Sequence, residues 1–281
     1  MKEVIIETLH DSIKLLPFLF ITFIILEFIE HKMSKKSKEI VEQSGKFGPL
    51  LGSILGAFPQ CGFSVAATNL YAGRVISIGT LIAIYLSTSD EMLPILLSKD
   101  IEITLVLQIL LIKVIIGMIS GFAIDFILRK KERSQEAIHE LCEHDKCSCE
   151  EGILKSSVKH TINIFAFIIL SSFILNTLIF YIGEESIGKL FLKDSFFSPF
   201  ISCLIALIPN CGSSVIITEL YVNNAITLSS MIGGLLTGSG IAILVLFKEN
   251  KNIKENLQIL LTIYGIGVAS GIIIELIGMM F

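Results

Sequence analysis

Long apolar runs separated by short polar stretches are the first feature of this chain. Each run is close to the twenty residues that a tilted helix needs to cross the ~30 Å apolar core of a bilayer. The runs cover about residues 12–30, 75–97, 103–128, 161–182, 225–247 and 257–281. Acidic residues precede the first run and no small-residue cleavage site follows it, so we expect a retained span and not a cleaved signal peptide. The pattern predicts an all-α polytopic membrane protein embedded in a lipid bilayer.

Two further apolar segments, 48–72 and 198–222, are each interrupted by polar residues. The interruptions read Pro59-Gln60-Cys61-Gly62-Phe63-Ser64-Val65 and Pro209-Asn210-Cys211-Gly212-Ser213-Ser214-Val215. Pro cannot continue a helix, and an irregular polar backbone at membrane depth is tolerated only inside protein or along a cavity. Broken helices of this kind form the binding sites of transporters.

The break occurs twice because the chain contains an internal repeat. Residues 1–131 align with residues 151–281 without a gap, and Pro, Cys, Gly, Gln and Tyr residues fall in register. Matching of apolar segments by composition alone would not align these residue types. We therefore divide the chain into a first transmembrane repeat (1–131), a cytoplasmic Cys/His-rich loop (132–156) and a second transmembrane repeat (157–281).

Each arm of a broken segment has about twelve residues and reaches ~18 Å as a helix, which is half a bilayer. The segment is therefore either one kinked crossing or a re-entrant hairpin. Basic residues cluster in the loops 32–46 and 129–159, and both loops are cytoplasmic only if the segment is re-entrant. We expect two inverted-topology repeats, each with three transmembrane helices and one re-entrant helical hairpin. The two hairpin tips should then meet near the midplane.

Spacing of small and polar residues gives further structural expectations. Glycines four residues apart predict close helix packing; they are Gly48, Gly52 and Gly56, Gly117 and Gly121, and Gly267 and Gly271. Tyr71 and Tyr221, at equivalent hairpin ends, are candidates for the membrane interface. Asp125 and Glu275 occupy equivalent helix ends, where we expect them to meet water.

Polar groups at the breaks predict a substrate site at the midplane. Asp90 and Glu91 lie inside an apolar span, where carboxylates usually mark an ion path, and the matching stretch 237–241 is uncharged. The candidate substrate or metal ligands are Gln60, Cys61, Ser64, Asp90, Glu91, Asn210, Cys211 and Ser214. Alternatives remain open at this stage: the thiols as small buried turn residues, the serines as helix caps, and the carboxylates as groups of a locally unwound helix near the outer surface.

Two other ionisable residues are candidates for proton or charge coupling. Lys113 falls in the middle of an apolar helix, where it could neutralise one of the carboxylates, and Glu219 lies in the second hairpin opposite Asn69 of the first.

The loop between the repeats is the third candidate site. It contains His139, Cys142, His144, Cys147 and Cys149. Thiol and imidazole groups bind soft or borderline metals, and cytoplasmic thiols stay reduced, although the spacing matches no standard zinc module. The alternative is a charged, solvated linker with incidental cysteines.

Composition narrows the functional classes. The chain is 53% hydrophobic and 17% charged, with a mean hydropathy of +0.79, which is far from an ordinary soluble domain. Its net charge of −4 lies in short loops and suggests no nucleic-acid partner. We find no sequence resembling an ATP-binding loop, and no His within a span is placed to activate Cys61 as a nucleophile. We therefore expect a secondary transporter and not an enzyme.

The motifs P-Q-C-G-x-S, P-N-C-G-S-S and S-T-S-D-E-x-x-P, together with the His/Cys-rich loop, resemble those of the bacterial ten-segment (10TM) heavy-metal exporters. That family is labelled manganese transporter or arsenic efflux protein. The resemblance covers nearly the whole chain, and the ten segments correspond to six crossings and four hairpin arms. It implies export of a toxic metal or metalloid across the bacterial inner membrane.

The residues favour Mn²⁺ as the exported ion, since paired carboxylates in a low-dielectric cavity dominate the charge balance for a divalent cation. We expect proton antiport, with protons replacing the metal on Asp90 or Glu91, and no cofactor besides the transported ion. The thiols of Cys61 and Cys211 keep arsenite or another soft metalloid as the alternative substrate. An ion channel and an intramembrane thiol enzyme rank lower. A homodimer remains open.

Overall fold

A computed structural model of the protein describes scattered positions between 13 and 24 and then most of the chain in long stretches. These stretches are residues 47–57, 61–89, 92–98, 101–128, 153–182, 197–210 and 212–278. All regular secondary structure in these stretches is helical. The helices are α1 (Gly48–Gly56), α2 (Cys61–Ala72), α3 (Ile78–Ser87), α4 (Met92–Ser98), α5 (Ile103–Leu128), α6 (Ile153–Ile182), α7 (Ser198–Ala206), α8 (Gly212–Val222), α9 (Leu228–Thr237), α10 (Ala242–Glu249) and α11 (Ile253–Gly278).

The internal repeat is visible in the order and length of these helices. Helices α1 to α5 have counterparts in α7 to α11, shifted by 150 positions. Local details repeat as well: Ser77 caps α3 as Thr227 caps α9, through side-chain oxygens that accept from the backbone N–H three residues on. Arg74 and Asn224 both take left-handed backbone angles, with φ of 58° and 54°. The two repeats therefore share one local fold.

Helices α3 and α9 form the centre of the structure. Every residue of α3 is buried, as is every residue of α9 after Leu228. Helix α3 packs against α1 and α5, and α9 packs against α7 and α11. The long helices α5 and α11 turn apolar side chains outward, including Leu107, Leu111 and Leu261. Three segments, Ile103–Leu128, Leu228–Glu249 and Ile253–Ile277, have the length and apolar composition to cross a membrane, so these outward faces suit lipid contact.

Close packing at the predicted glycine positions is confirmed. A Cβ atom on Gly117 would lie 2.8 Å from the Ala83 carbonyl oxygen, and one on Gly121 would lie 2.6 Å from the Gly79 oxygen. In the second repeat, a Cβ on Gly267 would lie 2.8 Å from the Gly233 oxygen. The glycines thus allow α5 and α11 to touch the backbones of α3 and α9.

The runs 75–97 and 225–247 are not uninterrupted helices, contrary to expectation. Helix α3 ends at Ser87, where Thr88 takes an extended ψ of 129°, and α4 begins at Met92. In the second repeat α9 ends at Thr237, and Gly240 has a positive φ of 54° before α10 begins. Hydroxyl groups that bond back to the last turn and a glycine in left-handed geometry both terminate helices.

Asp125 and Glu275 do not simply meet water, which corrects a second expectation. Asp125 accepts hydrogen bonds from the Ser77 hydroxyl at 2.6 Å and the Gly79 N–H at 2.9 Å. Glu275 accepts from the hydroxyls of Thr227 and Ser229. Each carboxylate therefore closes the N-terminal end of the central helix of its own repeat, where negative charge is favourable.

The two repeats join through reciprocal contacts near the breaks. Helix α2 of the first repeat packs against α10 of the second, and α8 of the second packs against α4 of the first. Helices α3 and α9 also touch each other. This exchange brings the breaks of the two repeats to the same region of the molecule.

Candidate functional site

A small pocket lies where the breaks of the two repeats meet. It is lined by Thr88, Ser89, Met92, Asn210, Ser213, Ser214, Leu235, Gly238 and Gly240. The first repeat contributes the residues around the end of α3 and the start of α4. The second repeat contributes the break of its hairpin and the break after α9. The pocket is therefore a joint product of both repeats.

Asn210 organises the break of the second hairpin. Its side-chain oxygen accepts from the Gly212 N–H at 3.2 Å, and its backbone oxygen accepts from the Ser213 hydroxyl at 2.8 Å. This is the Asx-type turn by which an amide side chain replaces a missing backbone bond. Asn210 is 9% exposed. The turn starts α8 and holds Ser213 and Ser214 at the pocket.

Hydroxyl groups organise the break after α3. The Ser87 hydroxyl donates to the Ala83 oxygen at 2.8 Å, and the Thr88 hydroxyl donates to the Ile84 oxygen at 2.7 Å. Ser89 donates to the Ser87 oxygen at 3.1 Å. All three residues are buried. Because these side chains satisfy carbonyls of the last turn, the chain can leave the helix without stranding those groups.

After α9, glycines take the place of the hydroxyl arrangement found after α3. Gly238 and Gly240 line the pocket, and Ser239 lies between them. The Ser239 hydroxyl is buried and has no hydrogen-bond partner among the described residues. A buried hydroxyl without a partner costs free energy, so the break after α9 leaves a polar group unsatisfied next to two pocket-lining glycines.

Lys113 is the charged group at the junction. It is fully buried on α5, and its ammonium donates to the Thr88 oxygen and, at 3.0 Å, to the Leu235 oxygen. These carbonyls belong to the C-terminal ends of α3 and α9, where a positive charge is favourable. Lys113 thus links the two repeats beside the pocket, through contacts that the sequence did not predict.

A second polar connection runs along α2. The Thr68 hydroxyl donates to the Ser64 oxygen at 2.7 Å and lies 2.5 Å from the Tyr85 hydroxyl. Because the Thr68 proton goes to Ser64, the Tyr85 hydroxyl donates to Thr68, and it lies 3.4 Å from the Ala242 oxygen at the start of α10. All of these side chains are buried. The chain of hydroxyls joins the first hairpin to the helix that follows Gly240.

The predicted ligands fall into three groups. Asn210 and Ser214 line the pocket, while Ser64 is buried on α2 without being part of the lining. Cys61 begins α2, but its side chain lies outside the described residues. Gln60, Asp90, Glu91 and Cys211 also lie outside the described residues, as do His139, Cys142, His144, Cys147 and Cys149 of the central loop.

Glu219 does not share the pocket. It is exposed on α8, whereas its counterpart Asn69 is buried on α2. Sequence reasoning also missed Ser213, Gly238 and Ser239. The signal for Gly238 and Ser239 was the alignment of 237–240 with 87–90, and the signal for Ser213 was its place in the second break.

The described lining offers hydroxyl, amide and carbonyl oxygens. The described part of the chain holds no group of three His, Cys, Asp or Glu side chains that could bind a metal ion. However, Ser89 and Met92 both line the pocket, and the two residues between them in the sequence are Asp90 and Glu91.

Buried broken helices from two repeats that meet at a shared pocket are typical of membrane transporters. A family model described as "Putative, 10TM heavy-metal exporter" matches the chain twice, over residues 1–140 and 126–267. The chain belongs to this family, which supports metal efflux as its general function and speaks against an enzyme. No curated protein and no solved structure matches the chain.

Proposed function

We propose that this protein exports Mn²⁺ across the bacterial inner membrane in exchange for protons. The observation that carries the proposal is that two pocket-lining residues, Ser89 and Met92, flank Asp90 and Glu91 in the sequence. Carboxylate oxygens suit Mn²⁺, and the hydroxyl and amide oxygens of the described lining can complete its shell.

Charge arithmetic supports exchange with protons. Two ionised carboxylates beside one buried lysine leave an excess negative charge, which is costly in a low-dielectric site. A divalent cation removes the excess, and a proton on Asp90 or Glu91 removes it when the cation leaves. Lys113 would set this balance because its ammonium is fixed at the Thr88 carbonyl. Glu219 would act only as an outlying proton group, since it is exposed on α8.

The proposed topology keeps both broken segments as re-entrant hairpins. Arg74 forms an ion pair with Glu255 at 3.0 Å, so the ends of α2 and the start of α11 lie on the same face. Between these residues α5 and α6 each cross the membrane once. The interrupted spans α3–α4 and α9–α10 are equivalent, so either both of them cross the membrane or neither does. Because Arg74 and Glu255 lie on the same face, the number of membrane crossings between them must be even. This holds only if α7 and α8 form a hairpin that returns to the face from which it entered. The contact therefore supports the re-entrant reading, and the basic residues of the central loop favour its cytoplasmic placement.

A second candidate function is efflux of arsenite or another soft metalloid. The observation that favours it is the neutral chemistry of the described lining, which combines hydroxyl, amide and backbone groups with the apolar side chains of Met92 and Leu235. A neutral hydroxylated solute would suit such a wall, and the thiols of Cys61 and Cys211 would bind its central atom.

Two variants separate these candidates. In inside-out vesicles we expect Asp90→Asn to lose proton-driven Mn²⁺ uptake and the double variant Cys61→Ser/Cys211→Ser to keep it. Glu102→Gln is the matched control, because Glu102 is an exposed carboxylate in the turn before α5. A protonophore should abolish uptake by the wild type, as it would not for a channel. The opposite pattern, with uptake lost in the Ser variant alone, would replace Mn²⁺ by a soft substrate.

A further inference from the structure

A polar contact between the repeats lies at the far end of α2. Glu255, in the first turn of α11, accepts from Arg74 at 3.0 Å and 3.5 Å and from the Tyr71 hydroxyl. The Arg74 guanidinium also lies 5.6 Å from the centre of the Tyr71 ring, within cation–π range. We call Tyr71, Arg74 and Glu255 the latch. It joins a helix of the first repeat to a helix of the second.

The sequence around the latch holds its members in place. Tyr71 is fully buried, which corrects its expected position at the membrane interface. Arg74 has a left-handed φ of 58°, uncommon for a residue with a side chain. Asn252 accepts from the Glu255 N–H at 3.3 Å and donates to its carboxylate at 3.3 Å. Glu255 also lies near a helix N-terminus, where its charge is favourable.

Partial burial strengthens the latch relative to a surface ion pair. The Arg74 and Glu255 side chains are 25% and 19% exposed. Burial alone would lower the pKa of Arg74, but the hydrogen bond and charge of Glu255 outweigh it and raise this pKa above its usual value. Charge-assisted bonds with two donors on one guanidinium also fix the relative orientation of the helices.

The equivalent position at the other end of the molecule has no such contact. The latch residues correspond to Tyr221, Asn224 and Leu105. Asn224 repeats the backbone turn, with a φ of 54° and an N–H that donates to the Tyr221 oxygen at 2.9 Å. Leu105 cannot accept a hydrogen bond through its side chain. The shared fold therefore does not require the latch, and only one end of the molecule carries it.

The latch lies at the end of a route that starts at the pocket. Helix α10 begins two residues after Gly240, which lines the pocket, and α2 begins at the break of the first hairpin. The two helices pack against each other and run to the turns that hold Arg74 and Glu255. Because Gly240 in the pocket wall leads directly into α10, movement of α10 away from α2 would displace this part of the wall on the side of the latch.

We propose that the latch is a one-sided gate, closed in this structure, that must open for substrate to pass between the pocket and this face. The proposal rests on the transport function proposed above. Lys248, Lys251 and Lys254 lie near Glu255 in the sequence, so the positive-inside rule makes this the cytoplasmic face. The latch would then control loading of the exporter.

The test uses hydrogen–deuterium exchange of the purified full-length protein, which needs no knowledge of the substrate. In Glu255→Gln and Arg74→Gln we expect amide exchange in α2 and α10 to become about tenfold faster, as loss of a charged hydrogen bond would allow. The counterpart helices α8 and α4 should keep their wild-type exchange. The charge swap Arg74→Glu/Glu255→Arg should restore slow exchange.

A control variant separates gating from loss of stability. Asp125→Asn weakens a carboxylate contact of similar strength within one repeat, and it should lower the thermal midpoint without faster exchange confined to α2 and α10. Unchanged exchange in the latch variants, or equal acceleration at both ends of the molecule, would overturn the proposal.

In inside-out vesicles the latch variants should also lower the KM for Mn²⁺ at least threefold, because the loading state becomes more populated. The latch variants could show faster exchange confined to α2 and α10 while the wild type takes up no Mn²⁺. That result would contradict Mn²⁺ as the substrate but would still support the gate.

Discussion

Lys113 donates a hydrogen bond to the Leu235 carbonyl oxygen at 3.0 Å and thereby joins the first repeat to the second. Its counterpart on α11 is Ile263, which is equally buried. The repeat therefore supplies two equivalent positions at the centre of the molecule, and only one of them carries charge. Charge beside the pocket is asymmetric although the helices around it are not.

This asymmetry predicts the result of moving the lysine. We expect Lys113→Met to reduce export at least tenfold, because carbonyls at the ends of α3 and α9 lose a charged donor beside the pocket. In the double variant Lys113→Ile/Ile263→Lys, the repeat places the new ammonium near the Gly238 and Tyr85 carbonyls. Thermal stability should return, but export should not, because the carboxylates belong to the first repeat alone. Recovery of both properties would show that any central charge suffices.

Glycine packing gives a matched pair of variants on the two long helices. Gly117→Ala should destabilise the protein by about 1–3 kcal/mol, since its Cβ would lie 2.8 Å from the Ala83 oxygen in a packed interface. Gly265→Ala, on α11, should be neutral or slightly stabilising, because no atom lies within 4 Å of the added carbon. Thermal unfolding in detergent compares the two. Equal loss in both variants would mean that helix flexibility, and not close packing, selects these glycines.

Much of the helical order followed from the sequence because the repeat and the glycine spacing carry strong periodic signals. The breaks at Thr88 and Gly238 did not, since an apolar run with few polar residues reads equally well as one helix. The clues were local: hydroxyls that bond back at Ser87 and a glycine pair around Ser239. These effects compete with helix propensity over a single turn and are lost in a long hydrophobic average.

The sequence predicted some of the residues that form the site but not the partners that these residues contact. Asn210 and Ser214 were expected at a midplane site, and they line the pocket. Lys113 and Tyr71 were recognisable as unusual, yet their partners lie more than a hundred residues away, at Leu235 and Glu255. Pairing across repeats depends on how the helices of the two halves interlock, which no local pattern encodes.

Topology can be tested by labelling of single cysteines in intact cells. With the native cysteines removed except Cys142, a membrane-impermeant maleimide should react only after the inner membrane is opened to it. A cysteine introduced at Lys193 should react in cells whose inner membrane is intact. This difference is expected because the positively charged loops favour a cytoplasmic central loop and an inverted second repeat. Labelling of both positions from the same side would contradict the inverted arrangement.

The central loop predicts a separate effect on metal handling. Replacement of Cys142, Cys147 and Cys149 by Ser in the full-length protein should lower Zn²⁺ binding and change export at low metal concentration without abolishing it. His139 and His144 remain as weaker ligands in this variant. Equilibrium dialysis gives the binding, and vesicle uptake over a range of Mn²⁺ concentrations gives the export. Unaltered binding and export would make the loop a solvated linker.

Asn210 allows the identity of the substrate to be tested at a described pocket residue. Aspartate can form the same turn through its side-chain oxygen, so Asn210→Asp should keep the start of α8. Asn210→Ala should lose the 3.2 Å bond to the Gly212 N–H and about 1 kcal/mol of stability.

The two candidate substrates respond to this new carboxylate in opposite ways. If the pocket binds Mn²⁺, Asn210→Asp adds a negative oxygen ligand and should tighten equilibrium Mn²⁺ binding severalfold, while export slows because release becomes harder. If the pocket binds neutral arsenite, the new carboxylate is not a sulfur ligand for it. Removing water from this carboxylate when arsenite binds costs free energy, so arsenite binding should weaken. Isothermal titration of both ligands against wild type, Asn210→Asp and Asn210→Ala measures the difference. Weaker Mn²⁺ binding in the Asp variant, with its thermal midpoint unchanged, would show that the pocket does not hold the cation.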